Sequence, residues 1–202
     1  IKALQKKHKT LFKRMKWENK LKLTYTLMDL HDASRNFLTT DLGELQKHLS
    51  GMDKPYTNHP EMKMLWEDFQ ELREESYNKD VVTIDFIDMI YLPIHFDLKL
   101  TIYPTYLLLD EVQDFNLCQH KLIDKLLSEP TCKKWAGAGD VAQAIYGFGG
   151  ASSKSFELFK SKGDVVQLPL DINYRSGTAI LESANEVYDI ITPFHKKEGI
   201  VK

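Results

Sequence analysis

Apolar positions change their period near residue 80, and that change divides the chain. In residues 1 to 22, Leu4, Leu11, Phe12, Met15 and Leu21 recur at roughly helical intervals, which predicts an amphipathic helix or helix pair. Asp41 with Glu44 three residues on has the form of a capping box, and Ser50-Gly51 supplies a stop. Pro55 to Pro60 reads as a loop. Pro60 suits the first turn of the next helix, in which Met62, Leu65, Trp66, Phe69 and Leu72 share one face at spacings of three and four. That face assigns Trp66 to a core rather than to base stacking. The first 78 residues therefore read as all-helical.

From about Val81 the pattern differs. Thr83 or Asp85 can open a helix through Phe86, Met89 and Ile90 that ends near Pro93. Tyr106 to Leu109 has the length and all-round hydrophobicity of a strand buried on both faces, as in a parallel sheet covered by helices. Leu117 to Leu127 reads as an amphipathic helix ending before Pro130, and Lys133 to Ala138 as a second short strand. A short helix carries Phe156, Leu158 and Phe159, and Val165 to Leu170, bounded by Gly163 and Pro169, reads as a strand. Ser176, as N-cap with Gly177 after it, precedes a helix through Ile180, Leu181, Ala184, Val187 and Tyr188.

Composition sets outer limits. A chain of 202 residues with 43% hydrophobic content can bury a core, and its length fits one large domain or one domain plus part of another. A net charge of −2 argues against a wholesale polyanion-binding surface but leaves room for a basic stripe or a stacking platform. Residues 1 to 22 hold nine Lys or Arg against one acid, Glu18, which suits a solvated helix face or a phosphate-contacting surface. Cys118 and Cys132 form no metal-ligand spacing and are too few for a disulfide framework, so an intracellular, reducing setting is expected. No apolar stretch reaches membrane-spanning length and no charged-then-apolar leader opens the chain, so no membrane partner is expected.

Candidate chemistry gathers where the Tyr106 to Leu109 run ends. Asp110, Glu111 and Asp114 follow directly, placing carboxylates at the carboxyl end of a strand, where open α/β sheets bind ligands. One carboxylate there can hold Mg²⁺, directly or through water, and its neighbour can polarise an attacking water for phosphoryl transfer. The plainer alternative is a solvated acidic turn with Asp114 capping the next helix. Gly137-Ala-Gly139-Asp-Val-Ala142 mimics a dinucleotide-binding fingerprint, but it follows a second acid-tipped strand instead of opening the first βαβ unit.

Three segments carry a resemblance. Asp110-Glu-Val-Gln-Asp-Phe resembles the Walker B segment of UvrD/Rep-like superfamily-1 helicases, usually Asp-Glu-x-Gln-Asp. Gly139-Asp-Val-Ala-Gln-Ala-Ile-Tyr-Gly-Phe-Gly-Gly-Ala151 resembles the third motif of that family, and Asn173-Tyr-Arg-Ser176 the segment opening its second motor domain. They stand in the family's order within residues 106 to 185, and Ile84 to Ile90 resembles the segment preceding Walker B. The resemblance implies an α/β fold: a RecA-like P-loop NTPase motor domain, with a partial parallel sheet flanked by helices and an all-helical inserted subdomain. It assigns residues 1–78 to that subdomain, 79–165 to the C-terminal part of the first RecA-like motor domain and 166–202 to the start of the second.

The same resemblance implies an ATP-dependent DNA helicase or translocase that moves 3′ to 5′ on single-stranded DNA or at a single/double-strand junction, with ATP and Mg²⁺ as cofactors. Asp110 would hold Mg²⁺, Glu111 would orient or deprotonate the hydrolytic water, and Gln143 would sense the γ-phosphate. Arg175 would reach the γ-phosphate from the second domain, and Tyr174 would stack on adenine. Tyr146 and Phe148 would contact single-stranded DNA. Gly149 departs from the pattern, standing where the family usually has Arg. No Gly-x-x-x-x-Gly-Lys-Ser/Thr occurs either, and with the family's last two motifs also missing the chain is expected to be an internal piece of a longer helicase. Other classes stay open: a non-hydrolysing helicase-like domain binding DNA or protein, a metal-dependent nuclease built on Asp110, Glu111 and Asp114, and a dinucleotide-binding module.

Overall fold

Apolar side chains at helical spacing draw the first part of the chain around one core. The computed structural model describes residues 1–49, 59–77, 84–144, 154–170, 172–186 and 192–193. Helices α1 (Lys2–Lys7), α2 (Lys9–Arg14), α3 (Trp17–Asn36), α4 (Leu42–His48) and α5 (Met62–Tyr77) bury Leu4, Phe12, Leu23, Leu27, Leu30, Leu45, Met62, Leu65 and Trp66 in a single cluster. The basic N-terminal stretch is a helix pair that breaks at His8. There α5 supplies acids: Lys7 Nζ lies 2.8 Å from both Asp68 and Glu71, and His8 Nε2 lies 2.5 Å from Asp68. Leu21 leaves the predicted apolar face and is exposed on α3.

Asp41 caps α4 by accepting the Glu44 amide at 2.7 Å, whereas the Glu44 carboxylate takes the Thr39 hydroxyl at 2.7 Å instead of closing a box. The helix stops at His48, and Ser50, Gly51 and Pro55 lie outside the described residues. Pro60 sits in the turn before α5, ahead of its first helical turn. Trp66 is core, as its spacing requires, 2% exposed and donating its indole N–H to the Thr40 carbonyl at 2.9 Å.

The next elements are α6 (Asp88–His95), β1 (Tyr106–Leu109), α7 (Leu117–Leu127), β2 (Lys134–Gly137) and α8 (Ser155–Lys160). Asp85 and Asp88 exchange side-chain-to-amide hydrogen bonds at the start of α6, 2.8 and 3.2 Å. Pro93 lies inside this helix and does not end it. Phe86, expected within the helix, precedes it and is 89% exposed, Met89 is 59% exposed, and Tyr91 is its buried residue. A cation sets that orientation. Arg35 of α3 is 1% exposed and holds Asp85 at 2.8 Å, Asp88 at 2.6 Å and Asp32 at 2.6 Å. Burial opposes the guanidinium charge, but the three carboxylates outweigh it and raise the Arg35 pKa above its ordinary value.

Strands β1 and β2 pair in parallel, from Tyr106 opposite Lys134 to Leu109 opposite Gly137. The burial expected on both faces is not found: Tyr106 and Leu108 are 65% and 80% exposed. Side chains alternate along a strand, and no described element covers the face those two occupy. Helix α7 has its predicted bounds, but Asn116, not Asp114, caps it in a full box with Gln119 at 2.9 and 2.8 Å. Asn116 also donates to Asn36 at the end of α3, 3.0 Å away.

Contacts divide the chain into Ile1–Leu158 and Phe159–Lys202. In the second unit, Val165 to Leu170 forms no strand, and Val166, Leu168 and Leu170 are largely exposed. Pro169 has no N–H to give a ladder, and no partner strand runs beside the segment among the described residues. Instead β3 (Ile172–Asn173) pairs in parallel with β4 (Thr192–Pro193). Helix α9 (Thr178–Asn185) follows Gly177 as its N-cap, without a side-chain cap from Ser176, and Leu181 is its buried residue. Val187 and Tyr188 lie outside the described residues.

Replacing Arg35 by Leu leaves Asp85 and Asp88 facing each other without the cation that joins α3 to α6. The expected loss in chemical denaturation is about 3 kcal/mol, the low end for breaking a buried pair because the Asp32 and Asp85 side chains are half-exposed and can be resolvated. A loss below about 0.5 kcal/mol would show that the cluster does not hold the two helices together.

Candidate functional site

β1 ends at Leu109 and the chain turns at once. Asp110 is exposed, and its Oδ1 accepts the Glu111 amide at 2.9 Å. Glu111 adopts φ 51° and ψ 45°, the left-handed region that non-glycine residues rarely occupy. A single 3₁₀ turn, Val112–Asp114, follows. This backbone step lets the Val112 amide reach the Ala138 carbonyl at 3.0 Å while the Ala138 amide takes the Leu109 carbonyl at 2.9 Å. The turn after β1 is thereby fastened to the end of β2.

Gln113 completes the fastening from inside. It is 4% exposed, and its Nε2 donates to Glu111 Oε2 at 2.7 Å and to Asp114 Oδ2 at 3.4 Å. Its Oε1 accepts the Asp140 amide at 3.0 Å. Asp140 in turn caps a 3₁₀ turn, Val141–Gln143, accepting the Ala142 amide at 2.9 Å and Gln143 Nε2 at 2.7 Å. Hydrogen bonds thus run from Glu111 through Gln113 and Asp140 to Gln143. A neutral carboxamide suits the middle of that chain, since it donates to a carboxylate with one end and accepts from a backbone amide with the other. Sequence reasoning passed over Gln113, although a lone amide among acids directly after a strand was a visible signal.

The glycines of the apparent dinucleotide fingerprint have a packing role. A Cβ on Gly139 would lie 2.5 Å from Gln113 Oε1 and 2.8 Å from Val112 Cγ2, and one on Gly137 would lie 3.0 Å from Val112 Cγ1. Both let the two turns approach closely, so a phosphate contact is not needed to explain them.

Among the described residues, no group of three or more His, Cys, Asp or Glu side chains is placed to hold a metal ion. A nuclease cluster of Asp110, Glu111 and Asp114 is therefore not formed. Asp110 and Glu111 offer exposed carboxylate oxygens, the donor type Mg²⁺ takes when phosphates and water complete its shell. Asp114 Oδ1 is buried without a hydrogen-bond partner among the described residues.

In the second unit, the Arg175 and Ser176 amides both donate to Asn173 Oδ1, at 2.9 and 2.7 Å, which shapes the turn after β3. That turn presents Tyr174, 67% exposed, beside the exposed Arg175. The structure thus brings Asp110, Glu111 and Gln143 into one stitched region and sets Tyr174 and Arg175 together on another. Tyr146, Phe148 and Gly149 lie outside the described residues.

Known proteins match this chain. A family model described as the UvrD/REP helicase N-terminal domain matches residues 2–164. A "Probable DNA helicase" of Mycoplasma pneumoniae is 42% identical over 94 residues, covering 46% of this chain and 17% of that protein. An "ATP-dependent DNA helicase Rep" of Buchnera aphidicola is 36% identical over 131 residues, 61% of this chain and 19% of that protein. An "ATP-dependent DNA helicase PcrA" of Staphylococcus aureus is 39% identical over 83 residues, 41% of this chain and 11% of that protein. The chain spans less than a fifth of the length of each.

Gly139→Ala tests the close approach of the two turns. The added carbon must displace either the Gln113 carboxamide or the Val112 side chain, and the expected cost is about 1–3 kcal/mol by chemical denaturation. An unchanged midpoint would mean that the turns are not packed as described.

Proposed function

Because the chain belongs to the UvrD/REP helicase N-terminal domain family, we propose that it carries the hydrolysis turn of an ATP-dependent DNA helicase. That family implies a RecA-like P-loop fold. In this reading residues 1–78 are its all-helical inserted subdomain, 79–165 the C-terminal part of the first motor domain and 166–202 the start of the second. The activity is Mg-ATP hydrolysis coupled to 3′ to 5′ movement on single-stranded DNA or at its junction with duplex. Relatives named as ATP-dependent DNA helicases support the cofactor and the nucleic acid. The observation that carries the reading is the hydrogen-bonded path from Glu111 through Gln113 and Asp140 to Gln143.

ATP and Mg²⁺ supply an electrophilic γ-phosphorus whose charge the metal offsets. Asp110, exposed and tied to its own turn through one oxygen only, would hold the metal. Glu111 would orient the attacking water and accept its proton, with its carboxylate aimed by the Gln113 amide. Gln143, at the far end of the path, would sense the γ-phosphate. Arg175 would add delocalised positive charge to the transition state, and Tyr174 would stack on adenine. Tyr146 and Phe148 would bind single-stranded DNA, stacking being worth about 1–3 kcal/mol per base without regard to base identity. Gly149 removes a cation from that stretch. The 202 residues hold no Gly-x-x-x-x-Gly-Lys-Ser/Thr, the loop that cradles phosphates in P-loop proteins.

Glu111→Gln in the full-length protein keeps the shape of the side chain and removes its proton acceptor. ATP binding is expected to persist while DNA-stimulated turnover falls by about a hundredfold or more. Turnover unchanged by the substitution would favour a non-hydrolysing DNA- or protein-binding domain.

A further inference from the structure

Behind the acidic turn lies a buried polar pair that the roles above leave unused. Ser155, at the start of α8, is 1% exposed, and His120, within α7, is 4% exposed. The Ser155 hydroxyl donates to the Val112 carbonyl at 2.5 Å, and His120 Nε2 lies 2.7 Å from Ser155 Oγ. A hydroxyl has one proton. With that proton given to Val112, the serine oxygen can only accept from the ring, so His120 must carry its proton on Nε2. The order is fixed: His120 donates to Ser155, and Ser155 donates to Val112.

Val112 follows Glu111 directly and is held from three sides. Its amide reaches the Ala138 carbonyl at 3.0 Å, its side chain fills the space left open by Gly137 and Gly139, and its carbonyl takes the Ser155 hydroxyl. Glu111 itself keeps a left-handed backbone, which a non-glycine residue holds only when its surroundings impose it. Resting on the proposed hydrolytic role of Glu111, we propose that His120 and Ser155 are positioning residues for that carboxylate, acting through the Val112 carbonyl. Removing the hydroxyl frees one of the three restraints. The carboxylate then loses alignment with the attacking water, a small displacement to which reacting geometry is sensitive. Both residues are buried, so binding of nucleotide and DNA should be spared.

The test is DNA-stimulated ATP hydrolysis by the full-length protein. Ser155→Ala should lower kcat at least tenfold while KM for ATP and single-strand affinity stay within twofold, and Ser155→Thr should restore most of kcat. Unchanged kcat with a lowered Tm would overturn the inference and leave a purely structural pair. If Ser155→Ala does not fold, two His120 variants carry the test. His120→Gln keeps an N–H donor and should retain kcat within about threefold, whereas His120→Leu should lose about tenfold; equal kcat in the two would overturn the inference. A Glu111→Gln control separates the two levels of the reading. Full turnover in that control would overturn the hydrolytic role of Glu111 and this inference with it, whereas an inactive control beside a fully active Ser155→Ala would overturn this inference alone.

Discussion

The carboxamide of Gln113 touches both acid-tipped turns. Its nitrogen holds the Glu111 carboxylate and its oxygen holds the Asp140 amide, so the ends of β1 and β2 share one side chain. No charged residue could serve both partners, because a carboxylate cannot donate and an ammonium cannot accept. The amide itself is buried, with Val112 and Gln113 3% and 4% exposed, which makes its hydrogen bonds costly to leave unmade. A left-handed Glu111 costs roughly 1–2 kcal/mol. The hydrogen bond the buried Gln113 amide donates to Glu111 and the one it accepts from Asp140, together with the Val112 to Ala138 bond, are of sufficient size to offset it.

The support behind this turn is of a different kind. Arg35, enclosed by Asp32, Asp85 and Asp88, fixes α6 against α3, and the Asn36 to Asn116 contact fixes the start of α7 against the end of α3. Buried ion clusters of this type add little net stability compared with apolar packing, but removing one partner leaves the others uncompensated. The apolar cluster under α1 to α5 supplies the bulk of the burial, and the arginine sets the orientation of what lies above it.

Much of this was legible in the sequence, for identifiable reasons. Helices with strong periodicity were found: the one carrying Met62, Leu65 and Trp66 with its face correct, and the α7 helix from Leu117 to Leu127 with its bounds correct. The family was also legible, because Asp110 to Phe115 and Gly139 to Ala151 carry it as ordered motifs, and both lie within the family match over residues 2–164. What periodicity could not carry was hydrogen bonding between distant segments. The exposure of Phe86 and Met89 could not be read from the sequence, because the anchoring of α6 rests on Arg35, far off along the chain. Val165 to Leu170 has strand composition, but composition cannot supply a partner. Gln113 went unremarked as a residue because its importance lies in two contacts, one local and one with Asp140, and only the first could be suspected from spacing.

The shared carboxamide can be tested most directly by measuring unfolding of Gln113→Glu against the wild-type chain at pH 7 and again near pH 5. The substitution keeps the shape, removes the donor and sets a carboxylate against Glu111 and Asp114. Crowding by like charges and burial raise the pKa of the introduced acid above its unfolded value of about 4.3, so its penalty is full above the raised pKa and fades as pH falls through it. The expected loss relative to wild type is about 3 kcal/mol at pH 7 and clearly smaller near pH 5, where the protonated acid can donate again. A loss below about 0.5 kcal/mol at pH 7, or one that does not change with pH, would contradict a buried amide shared between the two turns.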